Sequence, residues 1–286
     1  MWKIIMEAAV LTGIAGLLRS EYEKRHFKVE YYQTVSEKIK KDRTVVFLSD
    51  LHSQEFGKDN KKLLKAIDQV RPDLILSGGD MMICKGKRDV KAAKKLLEAL
   101  ADRYPVYCAN GNHECRMREE KEIYGDLYEE YVQALKSAGV TVLSNETVLV
   151  DEDLAITGYD LDKKYYKKFK TEELRAEEIK KEAGPANKKR YEILLAHSPL
   201  FFSAYKAWGA DLSLAGHFHG GTIRLPLVGG VMTPQFQFFL PWCAGKFQEN
   251  EKTMIVSRGL GTHSIRIRLF NKPQVVVVRL KNKTIF

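Results

Sequence analysis

The chain has 286 residues, 44% of them hydrophobic and 29% charged, proportions ordinary for a globular protein with a sizeable core. Its four cysteines (Cys84, Cys108, Cys115, Cys243) form no C-x-x-C and keep no regular spacing, which argues against a disulfide framework or a thiolate zinc site and for a reducing compartment. The formal net charge of +10 leaves a polyanionic partner open, but no dedicated nucleic-acid-binding module is evident.

The first element, Ile4 to Leu18, is apolar apart from Glu7 and Thr12, and falls short of the roughly 20 residues a spanning helix needs. Lys3 alone would serve as a signal n-region, with no clear A-x-A site and no twin arginine. Three readings stay open: a short membrane-associated anchor, a packed helix, or a cleaved signal. Trp2 and the cluster Arg19, Lys24 and Arg25 suit an interfacial position, so residues 1–25 are the expected membrane-surface contact. The expected location is membrane-associated or cytoplasmic, with the extracytoplasmic face left open.

HFKVEYYQTV alternates like a strand or extended arm. Residues 1–40 are taken as leader and arm, and 41–286 as one domain. Thr44–Leu48 reads as a buried strand, Asn60–Val70 as a helix, Leu74–Leu76 as a strand, Val90–Ala101 as a helix and Val106–Ala109 as a third strand. This repeat of strand, loop and helix predicts α/β layering, with polar residues gathered at the strands' carboxyl ends. The second half reads as short strands at Val140–Leu143, Thr147–Val150, Leu154–Thr157, Ile193–Ala196, Leu212–Leu214, Thr253–Ser257 and Val275–Leu280. Two mixed sheets packed face to face with helices outside, a four-layer αββα sandwich, accommodate both halves. A basic helical insertion spans 160–190, where Lys163 to Arg190 carries eleven Lys or Arg against five Glu. It is either a solvated surface or a patch drawn to anionic lipid or an acidic substrate.

The chemistry-bearing residues form a series at the strand ends: Asp50 and His52 in SDLH, Asp80 in GGD, Asn112 and His113 in GNHE, His197 in LLAHSP, and His217 and His219 in LAGHFHGG. Five of the chain's seven histidines fall in this set. Singly, each is better explained by structural hydrogen bonding; together, carboxylate, carboxamide and imidazole are the ligand types that suit divalent first-row metals. In an extended segment, residues i and i+2 point the same way, so D-x-H and H-x-H would each present two side chains to one small volume.

At these residues the sequence resembles the calcineurin-like metallophosphoesterase superfamily, whose motifs D-x-H, G-D, G-N-H-[E/D], H and G-H-x-H occur here in order as DLH, GGD, GNHE, AHSP and GHFH. The resemblance covers roughly residues 43 to 280 and implies two divalent metal ions (Mn, Fe, Zn or Co). It implies that Asp50, His52 and His219 bind one metal, that Asn112, His197 and His217 bind the other, that Asp80 bridges, and that His113 is the acid beside them. It further implies a bridging hydroxide that attacks phosphorus in line. Where many members carry a second aspartate that orients the acid histidine, this chain has Ile83, and Glu114 or Asp89 is the expected substitute.

The leader, RPDLILSGGDM and SRGLG…RLF are similar to a bacterial branch of phosphodiesterases and phosphohydrolases, some relatives of which cleave UDP-2,3-diacylglucosamine. The expected substrate is therefore a phosphodiester or pyrophosphate, with a lipid-linked compound or a nucleotide sugar as the candidate class. A phosphomonoesterase, a nuclease and a non-catalytic scaffold are the alternatives. Arg258 and Arg268, with Arg266, are candidate phosphate contacts or salt-bridged strand residues; His263 is a candidate substrate contact or a structural residue. Phe236 to Phe247 lines an apolar substrate pocket or membrane-facing groove, or is a loop packed on the core.

Overall fold

The computed structural model of the chain describes residues 1–86, 88–169, 172–225, 228–262 and 266–283. The first half runs helix α1 (Trp2–Lys24), strands β1 (Lys28–Ser36) and β2 (Arg43–Leu48), α2 (Lys61–Val70), β3 (Leu74–Ser77), α3 (Lys91–Ala101) and β4 (Val106–Ala109). Three helices follow, α4 (Asn112–Glu119), α5 (Lys121–Tyr124) and α6 (Leu127–Ser137), before β5 (Thr141–Leu143). The second half runs β6 (Glu146–Leu149), β7 (Leu154–Tyr159), α7 (Ala176–Ala183), β8 (Tyr191–Ala196), α8 (Phe202–Trp208) and β9 (Leu212–Ala215). It ends with a two-stranded ribbon of β10 (Arg224–Leu225) and β11 (Gly229–Gly230), then β12 (Gly245–Glu249), β13 (Lys252–Val256) and β14 (Gln274–Asn282).

Two six-stranded mixed sheets result, ordered β1-β14-β2-β3-β4-β5 and β12-β13-β9-β8-β7-β6. In the first, β2 to β5 pair in parallel and β14 is antiparallel to β2. In the second, β13, β9, β8 and β7 are parallel, flanked by antiparallel β12 and β6. The uninterrupted apolar run of β2 is explained by burial on both faces. Val45 and Phe47 join Ile193, Leu195 and Leu214 between the sheets. Val46 and Leu48 pack instead with Leu63 and Ile67 of α2 and Leu96 and Leu97 of α3. On the outer face of the second sheet, Leu194 and Ala196 meet Ile179 of α7 and Tyr205 and Trp208 of α8. The layers are therefore helix, sheet, sheet, helix.

The segment 1–40 divides in two. Strand β1 pairs with β14 along its whole length, and Ile39 is buried between the sheets, so the arm is an edge of the domain. Helix α1 projects from it: residues 1 to 15 are all exposed, which runs against the packed-helix reading. Its end is tied down, where Ser20 Oγ accepts the Arg268 N–H (3.0 Å) and Glu23 accepts the Asn271 N–H (2.7 Å). Among the described residues no helix is long and apolar enough to cross a membrane. The basic segment at 160–190 is partly core: Tyr165, Leu174 and Ile179 are buried against the second sheet and Asp160 is buried on Arg118, while the described lysines and arginines face outward.

Candidate metal centre

The parallel strands deliver their carboxyl ends to one edge of the two-sheet stack, where polar side chains of open α/β sheets ordinarily collect. Loops after β2, β3, β4, β8 and β9 bring Asp50, His52, Asp80, Asn112, His113, His197, His217 and His219 together there. The pairwise geometry of the D-x-H and G-H-x-H stretches differs from the extended segments expected. Asp50 (φ 53°), His52 (φ 47°), Asp80 (φ 54°), His217 (φ 65°) and His219 (φ 49°) all sit in the left-handed region. An extended strand would carry the chain past the site, whereas left-handed turns fold it back over the strand ends. Such strain in non-glycine residues persists only where surrounding contacts over-determine it.

Those contacts are explicit. Asp50 accepts the Ser49 hydroxyl (2.6 Å) and the His217 N–H (3.1 Å), tying the β2 loop to the β9 loop. Asp80 accepts the His113 N–H (2.8 Å). The buried Glu114 carboxylate accepts three backbone N–H groups, those of Asp80 (2.8 Å), Met81 (2.9 Å) and Gly111 (3.0 Å), so it clamps the β3 loop onto the start of α4. Gly79 and Gly216 make this closeness possible. A Cβ on Gly79 would lie 2.0 Å from the Gly111 nitrogen, and one on Gly216 2.2 Å from Asp50 Oδ2.

Donor atoms fall into groups with every member within 4.8 Å of the others: Asp50, His52 and His219; Asp80, His197 and His217; and His52, Asp80 and His113. His197 Nε2 lies 3.1 Å from Asp80 Oδ2 and 3.7 Å from Asp50 Oδ1. His219 Nε2 is 3.6 Å from Asp50 Oδ1 and 3.1 Å from His52 Nε2. His197 donates from Nδ1 to the Gly78 carbonyl (2.7 Å), which turns Nε2 toward the carboxylates. The Asn112 amide oxygen, His217 Nε2 and His219 Nδ1 are shielded from solvent with no hydrogen-bond partner among the described residues. Such atoms are costly unless something coordinates them, and the mixture of imidazole, carboxylate and carboxamide fits a divalent first-row cation.

The electrostatics are those of charge packed out of water. Burial lifts the Asp50 carboxyl to about 6. Burial acts on Asp80 in the same sense, but the imidazoles of His197, His113 and His52 outweigh it and hold that carboxyl well below the usual range. His197 shows the complementary effect: burial opposes its protonation, yet Asp80 and Asp50 raise it to about 10. Burial and neighbouring His197 push His217 down to about 3. His219 is driven well below the ordinary imidazole value by burial and by His52.

His113 opens helix α4, one residue beyond Asn112, and was expected in a loop. Its Nδ1 accepts the Cys84 N–H at 2.8 Å. The substitutes expected for the missing aspartate are engaged elsewhere: Glu114 in its backbone clamp, and Asp89 in accepting the Lys91 N–H (3.0 Å). The Cys84 amide carries no sequence signature, so this contact was unreadable. Asn271 was also missed; it donates to the His219 carbonyl (2.7 Å) and so steadies the H-x-H turn.

A cavity of about 170 Å³ opens over the cluster. Arg268 lines it but is committed largely to structure, donating to the carbonyls of Arg258 (2.8 Å), Gly261 (2.6 Å) and Asn271 (3.1 Å). Arg258 is absent from the cavity lining among the described residues and instead ion-pairs with Glu30 (2.5 Å). Arg266 lines a neighbouring groove with Lys24 and Arg25. His263 lies outside the described residues. The aromatic stretch splits: Phe236 lines the cavity, Trp242 and Phe247 pack on Phe202, Met254 and Val256, and Phe238 and Phe239 are exposed.

The family model for calcineurin-like phosphoesterases matches residues 43–221. Phosphodiesterase YaeI of Escherichia coli is 30% identical over 241 residues, 82% of this chain and 81% of the relative. An uncharacterized metallophosphoesterase of Aquifex aeolicus is 30% identical over 289 residues, covering 97% and 99%. The UDP-2,3-diacylglucosamine pyrophosphatase LpxG of Chlamydia muridarum is 24% identical over 289 residues, 82% of each chain. The chain belongs to the calcineurin-like phosphoesterase family. It is a metal-dependent phosphoester hydrolase.

Proposed function

We propose that the chain is a dinuclear phosphodiesterase or pyrophosphatase in which Asp50, His52 and His219 hold one divalent cation, Asn112, His197 and His217 hold a second, and Asp80 serves both. The observation that carries this reading is the convergence of two donor groups around Asp50 and Asp80 from four separate loops. Divalent cations bound there would polarise a phosphoryl oxygen and supply a nucleophilic water near neutral pH. The chain's own residues do the rest. The Gly78 carbonyl fixes the tautomer of His197, Glu114 fixes the loop that carries Asp80, and Asn271 fixes the turn that carries His219.

His113 acts in this reading as a neutral hydrogen-bond donor to the phosphoryl group, in place of the imidazolium acid that the resemblance implies. Its Nδ1 lone pair is engaged by the Cys84 N–H, so the ring proton sits on Nε2, and burial lowers its affinity for a second proton. The 30% identical relative named as a phosphodiesterase and the 24% identical one named as a pyrophosphatase support the class of bond cleaved. Helix α1 supports a membrane-surface location, because Trp2, Ile4, Leu11, Leu17 and Leu18 are all at least 60% exposed beside the cations Arg19, Lys24 and Arg25.

The test is hydrolysis of bis-p-nitrophenyl phosphate with Mn²⁺. Asp80→Asn and His217→Ala are each expected to lose about 100-fold or more in kcat/KM. A wild-type rate in either variant would overturn the assignment. A preference for the mono-ester over the bis-ester would move the reading to a phosphomonoesterase.

A further inference from the structure

We infer that Lys85, Arg116 and Lys168 form a subsite for a second phosphate of the substrate, adjoining the place where the scissile phosphoryl group sits. The inference rests on the proposed phosphodiesterase or pyrophosphatase reading and deepens it to a class of substrate. The three cations come from separate segments: the loop after β3, helix α4, and the stretch before α7. All three line the same cavity as His113 and Asn112.

Arg116 follows Asn112 by four residues on α4, so the two share a helix face about 6 Å apart along the axis. Cys84 holds both functional groups of that helix: its N–H meets His113 Nδ1, and its carbonyl accepts from Arg116 Nη1 at 3.0 Å. The guanidinium is therefore fixed one helical turn from the cluster, with Lys85 next in sequence. Lys168 lines the same cavity, its ammonium 4.8 Å from the Phe236 ring centroid.

The balance of charge favours an anionic occupant. Asp80, on the floor, is the one carboxylate among the described residues lining the cavity, against four Lys or Arg. Lys85 also lies within the field of the other two: burial, then Arg116 and Lys168, depress its ammonium. Glu120 offers Arg116 a partner only at 3.6 Å, on the exposed side of α4. An anion bound between them would relieve that repulsion and gain charge-assisted hydrogen bonds. Phe236, Met232 and Ile267 give the cavity an apolar wall beside the basic one, suited to the uncharged remainder of such a substrate.

The experiment compares kcat/KM for ADP-ribose, a pyrophosphate diester, with that for bis-p-nitrophenyl phosphate, which carries a single phosphate. Wild type, Lys85→Ala/Lys168→Ala and Lys85→Arg/Lys168→Arg are measured at low and high salt. The ratio of the two constants is expected to fall about 30-fold in the alanine pair and to be largely kept in the arginine pair. Added salt should lower the wild-type ratio and leave that of the alanine pair nearly flat. An unchanged ratio in the alanine pair, equal losses on both substrates, or wild-type hydrolysis of the bis-ester with none of ADP-ribose would overturn the subsite. Hydrolysis of neither ester by wild type would instead reject the underlying reaction. Both lysines are exposed, so misfolding is not expected to confuse the result.

Discussion

In the proposed reading His113 departs furthest from the role that the resemblance implies. A histidine that transfers a proton must carry it on a nitrogen able to regain it, and here the Cys84 amide occupies Nδ1. A neutral donor stabilises charge on the phosphoryl oxygens whatever the leaving group. His113→Ala is therefore expected to cost about 100-fold in kcat on phenyl and p-nitrophenyl phosphodiesters alike. A loss that grows steeply with the leaving group's pKa would restore the acid role. The candidate residues themselves were legible because each short motif ends an apolar strand. What lay beyond reading was the backbone that aims them: the Gly78 carbonyl under His197 and the Cys84 amide under His113 belong to residues without distinctive side chains.

At the scale of elements, strands were read more surely than helices. β2, β3, β4 and β14 are nearly continuous apolar runs buried on both faces, and the expected bounds lie within two residues of those observed. Helix α4 was hidden because NHECRMRE reads as a polar motif in a loop. Its one signal was Glu114 at the third helical position, reaching back to the Gly111 N–H (3.0 Å). Helix α1 was legible as an apolar segment, but its use was not. An exposed apolar helix ending in cations, bolted through Ser20 and Glu23 to the loop that steadies His219, would hold the cavity near an anionic lipid surface. Full-length protein should co-sediment with anionic vesicles, and Leu11→Asp/Ile14→Asp should weaken that binding by about tenfold or more. Equal recovery of the variant, or self-association without vesicle binding, would contradict this use of α1.

Across the whole molecule, the two sheets are held together at the end opposite the site by a buried ion pair. Arg43, opening β2 of the first sheet, grips Asp153, just before β7 of the second, through two hydrogen bonds of 2.7 and 2.9 Å. The N–H groups of Lys40 and Lys41 add two more. Burial alone would raise the Asp153 carboxyl, but these partners outweigh it and bring it down to about 2. A carboxyl depressed on folding stabilises the protein above its unfolded value near 3.9, and that stability is lost as the pH falls through the folded value. Asp153→Asn should therefore cost about 2–3 kcal/mol at pH 7, with the gap to wild type closing between pH 4 and pH 2. Denaturant unfolding across that range measures it, and a gap independent of pH would contradict the account.

The clamp at one end leaves the carboxyl edge of the stack to the donor cluster, whose proposed role is to hold a pair of cations. The direct measurement is a Mn²⁺ titration of chelator-stripped protein, following bis-p-nitrophenyl phosphate hydrolysis and bound metal together. Activity should be absent at the start and rise to a break at about two ions per chain. Full turnover in protein verified as metal-free, or no turnover with any divalent cation, would contradict it.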